Sequence, residues 1–168
     1  MGRRRRHHGA ELSGPTRRHG PEGEVSWRLH EYVRADFAFT RSFGRFRGSG
    51  KPIPRAPRWT YAAHVSFDHP RGLAGSFRVG GLSQFPLDEE GQFEGDAYHI
   101  ADLNLTYRLT PHWSLLASFE NLLDANFKEA QTFFFSRLPF EPVPVGDNHF
   151  NPGTPFTFRL GLQFNFDF

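Results

Sequence analysis

The chain has 168 residues, a formal net charge of +2 and a mean hydropathy of −0.56, which allows one domain of ordinary size but not two independent cores. No run approaches the roughly 18 to 20 consecutive apolar residues of a membrane helix, and the lack of any cysteine excludes disulfides, thiolate metal sites and Cys nucleophiles. Twenty Phe, four Tyr and three Trp argue instead for strands and apolar interfaces, and low averaged hydropathy is what a barrel shows when only alternate residues face lipid.

Residues 1–23 read as a basic, poorly ordered arm. Met1-Gly2 leads directly into Arg3 to Arg6 and His7-His8 with no apolar segment behind them, so no signal peptide is visible. The first twenty residues carry six Arg and one Glu, a net +5 that leaves −3 for the other 148, so the isoelectric point near 9.3 is a local property. No basic patch interleaved with stacking aromatics follows the arm, and a nucleic-acid partner is not expected.

From residue 24 onward the pattern is that of antiparallel strands. Val25, Trp27 and Leu29 lead through His30-Glu31 into Val33, Ala35, Phe37 and Phe39, which alternate with polar or small neighbours. Trp59, Tyr61, Ala63, Val65 and Phe67 alternate likewise, turn at Pro70-Arg71-Gly72 and return as Leu73, Gly75, Phe77 and Val79, a hairpin. Ala101 to Leu109 and Trp113 to Phe119 make a second one around Thr110-Pro111-His112. The last strand alternates without a fault for thirteen residues, Phe156 to Phe168. That is far longer than the 5 to 6 or so of a soluble strand and suits the roughly 9 to 11 residues of a tilted membrane strand. About seven strands are predicted.

Connections near 30, 70 and 111 are short, whereas 44–57, 85–96 and 129–154 are long and rich in Gly, Pro, acids and aromatics. Outer-membrane barrels place short turns in the periplasm and long loops outside, and this chain sorts in that way. Arg34, Asp36, Arg78, Asp102, Arg108, Glu120 and Arg159 fall opposite the apolar row, as a polar lumen requires, while Trp27, Trp59, Tyr107 and Trp113 suit the interfacial girdle. The nine histidines show neither His-x-x-x-His nor His-Glu-x-x-His spacing. No metal, cofactor or enzymatic activity is expected.

Four segments in order, Gly9 to Leu12, Ile53 to Trp59, Glu120-Asn121-Leu122-Leu123-Asp124-Ala125-Asn126-Phe127, and Pro152 to Phe168, resemble the closing strands of TonB-dependent outer-membrane receptors. The resemblance implies an all-β fold: an antiparallel transmembrane barrel of 22 strands with an N-terminal plug, of which 24–168 would supply the C-terminal strands. It implies energised uptake of a scarce ligand of the siderophore, cobalamin or oligosaccharide class, with the plug and remaining strands lying outside this chain, which alone would not transport. Within that pattern Pro15 and Thr16 to Gly23 break what the family keeps as one strand. Seven strands also leave two open edges, each unpaired group costing several kcal/mol in hydrocarbon.

Outer-membrane lipid and the barrel-assembly machinery are the expected partners, with Phe164, Phe166 and Phe168 as the assembly signal. The longest loop offers Phe133, Phe134, Phe135 and Arg137 as ligand contacts. Two other readings compete: a small self-standing outer-membrane barrel or oligomer, and a soluble β-sheet binding protein with a basic arm.

Overall fold

The computed structural model describes residues 14–166, and among them there is no helix. The strands are β1 (Thr16–His19), β2 (Glu22–His30), β3 (Val33–Arg41), β4 (Phe43–Phe46), β5 (Trp59–His69), β6 (Leu73–Leu82), β7 (Phe85–Pro86), β8 (Glu94–Gly95), β9 (Tyr98–Arg108), β10 (Trp113–Glu120), β11 (Lys128–Ser136), β12 (Val145–Pro152) and β13 (Thr157–Phe164). Seven of them form one antiparallel sheet in the order β13-β10-β9-β6-β5-β3-β2. The predicted hairpins and the count of seven are the observed ones.

Side chains alternate between the faces of a strand, so register decides whether like meets like. Trp27, Ala35, Val65, Phe77, Leu103, Phe119 and Phe158 lie opposite one another in turn and carry one apolar row across all seven strands. The adjacent row on the other face is Arg28, Arg34, Ser66, Ser76, Asn104, Ser118 and Arg159. Polar partners bond within that face: Ser26 Oγ donates to Asp36 Oδ1 at 2.6 Å, Arg34 Nε donates to the same oxygen at 3.0 Å, Ser118 Oγ donates to Asn104 Oδ1 at 2.8 Å, and Arg159 pairs with Glu120.

Short turns close one end of the sheet. Gly72 adopts φ +86°, and a Cβ there would lie 3.1 Å from that of Arg108, so the turn needs a residue without one. Its amide donates to His69 O at 2.9 Å, and its carbonyl accepts from Arg108 N at 2.8 Å. At the next turn Thr110 Oγ1 accepts from the amides of His112 and Trp113 at 3.3 and 3.0 Å.

The apolar row lies three residues from the short-turn end of β2, two from that of β3, and six from those of β10 and β13. Neighbouring strands are thus progressively staggered, which is the shear a tilted barrel wall needs. Among the described residues the wall does not close, because β2 and β13 each pair on one side only.

Two sequence expectations change. Residues 16–23 are not a featureless arm: β1 pairs with β4, and Glu22 and Gly23 open β2. The break at Gly20-Pro21 is local, because Thr16 opposite Phe46 and Glu22 opposite Thr40 belong to one continuous register and Arg41 N donates to Pro21 O at 2.9 Å. Pro21 has no amide to donate, which interrupts a ladder without ending it. The loop 129–154 contains a second, separate hairpin, β11 with β12. Arg3 to Arg6, Gly9 to Leu12 and Phe168 lie outside the described residues.

Candidate functional site

Among the described residues, most of the buried apolar side chains belong to the long connections and their flanks rather than to the sheet. Ile53, 1% exposed, lies against Gly44 of β4, where a Cβ would meet Ile53 Cδ1 at 2.8 Å, and Phe46 of the same strand is buried. Phe85 and Leu87 are buried as well, and Phe85 covers Gly95 so closely that a Cβ would lie 2.6 Å from its ring. Arg55 N donates to Pro86 O at 2.7 Å, and Lys51 Nζ pairs with Glu90. That hydrogen bond holds the Lys51 ammonium above the ordinary lysine range. The connections 47–58 and 83–97 are thereby tied together.

The β11–β12 hairpin is tied to the second of these. Gln131, buried, accepts from Asp96 N at 2.7 Å and donates to Asp96 O at 3.1 Å, Lys128 Nζ lies 2.7 Å from Asp96 Oδ2, and Phe133 stacks on Phe93 at 3.9 Å. No local pattern in the sequence marks Asp96, Lys128 or Gln131; they become neighbours only once the hairpin is placed.

The predicted ligand residues divide between two faces of this hairpin. Phe133 and Phe135 share one face with centroids 5.8 Å apart, above Gly146, whereas Phe134 stacks on His149 at 3.6 Å on the other. Arg137 Nε donates to Glu141 O at 2.9 Å, and Glu141 Oε2 accepts from Leu138 N at 2.7 Å, so Arg137 shapes the hairpin tip. Phe135 and Phe140 are 71% and 81% exposed, leaving apolar surface at the tip.

At the hairpin base, the Asn-Leu-Leu-Asp segment is a hydrogen-bonded staple. Asn121, 3% exposed, has φ +50°, a region that Asn tolerates better than most residues. Its Nδ2 donates to Ala125 O at 2.9 Å and Thr154 O at 3.0 Å, its Oδ1 accepts from Ala125 N at 3.0 Å, and its amide donates to Asp102 Oδ1 at 3.1 Å. Asp124 Oδ1 accepts from Phe156 N at 3.1 Å. Phe127 packs on Tyr98 at 5.1 Å and lies over Gly153, where a Cβ would come within 2.3 Å of the ring. The turn therefore joins β9, β10 and β13 beneath the hairpin.

On the apolar face near this end, Trp59, Tyr61 and His99 cluster with centroids 5.8 to 5.9 Å apart, and Tyr61 Oη lies 2.9 Å from His99 Nδ1. At the short-turn end Trp113 packs against Phe164 at 4.6 Å, and Phe164 meets Phe166 edge-on at 4.5 Å. Amphipathic rings at both ends of an apolar band match the two girdles of a membrane barrel. Of the predicted girdle residues, Trp59 and Trp113 take part in these clusters. Among the described residues no group of three His, Asp or Glu side chains is arranged to hold a metal.

A seven-stranded wall with one apolar and one polar face, girdled at both ends, defines a β-barrel membrane protein. Residues 2–122 match the family described as TonB dependent receptor-like, beta-barrel, and the chain belongs to that family. Similar solved structures include the ferric yersiniabactin uptake receptor FyuA from Yersinia pestis (TM-score 0.72, 18% identity, 90% of this chain and 24% of that one). The siderophore receptor PiuA from Acinetobacter baumannii (0.69, 11%, 89% and 22%) and the copper transporter OprC (0.64, 17%, 90% and 24%) are also alike. At these identities the likeness is one of fold. The chain spans about a quarter of the length of these receptors. No curated protein matches the sequence significantly.

Proposed function

We propose that the chain builds part of the wall and the outer rim of a TonB-dependent receptor in the cell outer membrane. That receptor takes up a scarce ligand with energy passed from the inner membrane, and these strands transport nothing alone. One observation carries the reading: the sheet has an apolar and a polar face in register across seven strands, with every long connection at one end. A soluble sheet would leave Leu160 and Leu162, 64% and 60% exposed, in water on a face with nothing to cover it.

The role is binding and passage rather than catalysis. Phe133, Phe134, Phe135 and Arg137 belong to the hairpin that meets ligand from outside, Phe133 and Arg137 by fixing its pose and Phe135 by direct contact. The ligand falls in the siderophore, cobalamin or oligosaccharide classes, the first of which is represented by name among the similar structures in the ferric yersiniabactin uptake receptor. Phe164, Phe166 and Phe168, alternate residues at the end of the sequence, serve as the signal for the barrel-assembly machinery, since an unpaired edge with alternate apolar side chains can add to another sheet.

This chain contains no cysteine, so a thiol introduced into it makes the topology directly testable once any cysteine elsewhere in the receptor is replaced. Single cysteines at Phe140 and at Arg71, in cells making the receptor that contains this chain, are labelled with a membrane-impermeant maleimide. Phe140→Cys should react in intact cells and Arg71→Cys only after permeabilisation, and accumulation of the receptor's ligand should require TonB. The reverse labelling pattern, or accumulation indifferent to TonB, would overturn the reading.

A further inference from the structure

Charged side chains on the polar face of the wall are largely matched with one another. Arg34 pairs with Asp36, His64 Nδ1 lies 3.8 Å from the same carboxylate, Arg159 pairs with Glu120, and Arg78 stands opposite Asp102. Asp68 and Arg108, which have no such match, are the last or next-to-last residues of β5 and β9, beside short turns.

The edge strand β2 differs. From the long-loop end downward its polar face carries Glu22, Glu24, Ser26 and Arg28. Ser26 bonds to Asp36, but Glu24 stands opposite Ala38, and Arg28 stands opposite Arg34, whose guanidinium is already engaged by Asp36. Like charges directly opposite each other destabilise a sheet. Among the described residues neither Glu24 nor Arg28 has an ion-pair partner. β2 pairs on one side only, with β3, and all nine of its residues are exposed, those of the apolar face as well as those of the polar one. Both faces therefore lack the same neighbour.

A second copy of this wall cannot be that neighbour. Every pairing in the sheet is antiparallel and the strands number seven, so the two outermost run the same way. β2 ends at His30 and β13 at Phe164, opposite Trp113, both at the short-turn end. Copies standing the same way up would bring β2 and β13 together parallel, and turning one copy over would put its long connections on the other side of the membrane. The free side of β2 is therefore fitted by an antiparallel strand of the receptor outside this wall, and an odd number of further strands completes the ring.

We infer that this neighbouring strand presents, on its lumen side, an acidic residue facing Arg28 and a basic residue facing Glu24, so that β2 is a charge template that fixes the register of the junction. A slip by one residue would turn the strand's polar side to lipid, and a slip by two, which keeps the faces, would leave Arg28 unmatched. The inference rests on the receptor-barrel reading above. Charges met only by lumen water are the plain alternative, and the identity of the facing residues separates the two.

Ser26, which lies between the two charges on the same face, locates the register without disturbing either. Ser26→Cys is placed in a cysteine-free form of the receptor containing this chain, together with single cysteines along the strand that precedes the wall. The position that forms a disulfide with it in oxidised outer membranes is its direct partner, since opposed strand residues lie within disulfide reach. In an antiparallel pair the residue two before that position faces Arg28 and the residue two after it faces Glu24. Asp or Glu is expected at the first and Lys or Arg at the second. R28Q and the acid-to-amide change opposite it should then be non-additive in urea unfolding of the detergent-folded receptor, with a coupling of about two- to fivefold in the folded-to-unfolded ratio. E24Q and its facing basic residue changed to Gln should behave likewise, and heat-modifiable gel mobility checks that each variant is folded. A neutral or like-charged residue at either position, additive effects in both cycles, or no disulfide anywhere along that strand would overturn the inference. Labelling of Phe140→Cys on intact cells reports independently on the outer-membrane reading.

Discussion

Replacing Asn121 tests whether the family's Asn-Leu-Leu-Asp segment is a structural staple. Asn121→Ala removes three buried hydrogen bonds, to Ala125 O, Ala125 N and Thr154 O, each contributing about 0.5 to 1.5 kcal/mol. It also puts a residue with no polar side chain at φ +50°, where a left-handed conformation costs roughly 1 to 2 kcal/mol. The expected loss is about 3 to 6 kcal/mol in the folded barrel. Asn121→Gly relieves the backbone and loses only the bonds, so it should fall about 1 kcal/mol or more short of the alanine loss. Asn121→Asp keeps the acceptor for Ala125 N but replaces Nδ2, which donates to both carbonyls, with a single carboxylate oxygen facing them, and should lose at least as much as alanine. Urea unfolding of the receptor in detergent, followed by tryptophan fluorescence, gives the comparison. If alanine changed stability by less than about 1 kcal/mol, the hydrogen-bond account of the motif would be wrong.

Leu162→Arg, two residues inside the girdle at Phe164, should destabilise the membrane-folded protein by about 1 to 3 kcal/mol, between the interfacial and midplane costs, with Gln163→Arg nearly silent in the same titration; equal losses would mean that the two faces are not lipid and lumen. Gly153→Ala drives a methyl into the Phe127 ring and should cost about 1 to 3 kcal/mol. The added change Phe127→Leu should recover part of that loss in a double-mutant cycle. Because its pKa is raised by Glu90, Lys51 contributes its tie between the outer loops throughout neutral pH and loses it only as pH climbs beyond the ordinary lysine range. Lys51→Met should therefore speed limited proteolysis of residues 47–58 at pH 7 and leave the rate unchanged for residues 137–144.

The wall was legible because membrane strands must alternate over their whole length. Phe156 to Phe166, Trp59 to Phe67 and Ala101 to Leu109 announce both their conformation and their faces, and the turns at Gly72 and Thr110 fix the pairing. Alternation ceases to be obligatory once a strand leaves the bilayer. Thr16–His19 carries no apolar period and is interrupted at Pro21, so its continuity with β2 was visible only in the register. Lys128–Ser136 places three Phe in succession, which erases the period of two and reads as a loop. The candidate site had the same limit: the sequence singled out Phe133 to Phe135 but not that Phe134 turns away from the other two, nor that Asp96 anchors Gln131 and Lys128 from another connection. Such contacts depend on where two long connections meet in space.

The stitching of the outer connections also separates what can be exchanged from what cannot. Residues 47–58, 83–97 and the base of the β11–β12 hairpin share buried side chains and cross-loop bonds, so a change in length in any of them would disturb its neighbours. Between Ser136 and Val145 the hydrogen bonds run from the tip to itself, Arg137 to Glu141, and Leu138 and Glu141 to each other. That tip is the place where this scaffold can accept foreign peptide, for display on a cell surface or for acquiring a new specificity, while the wall beneath keeps its register.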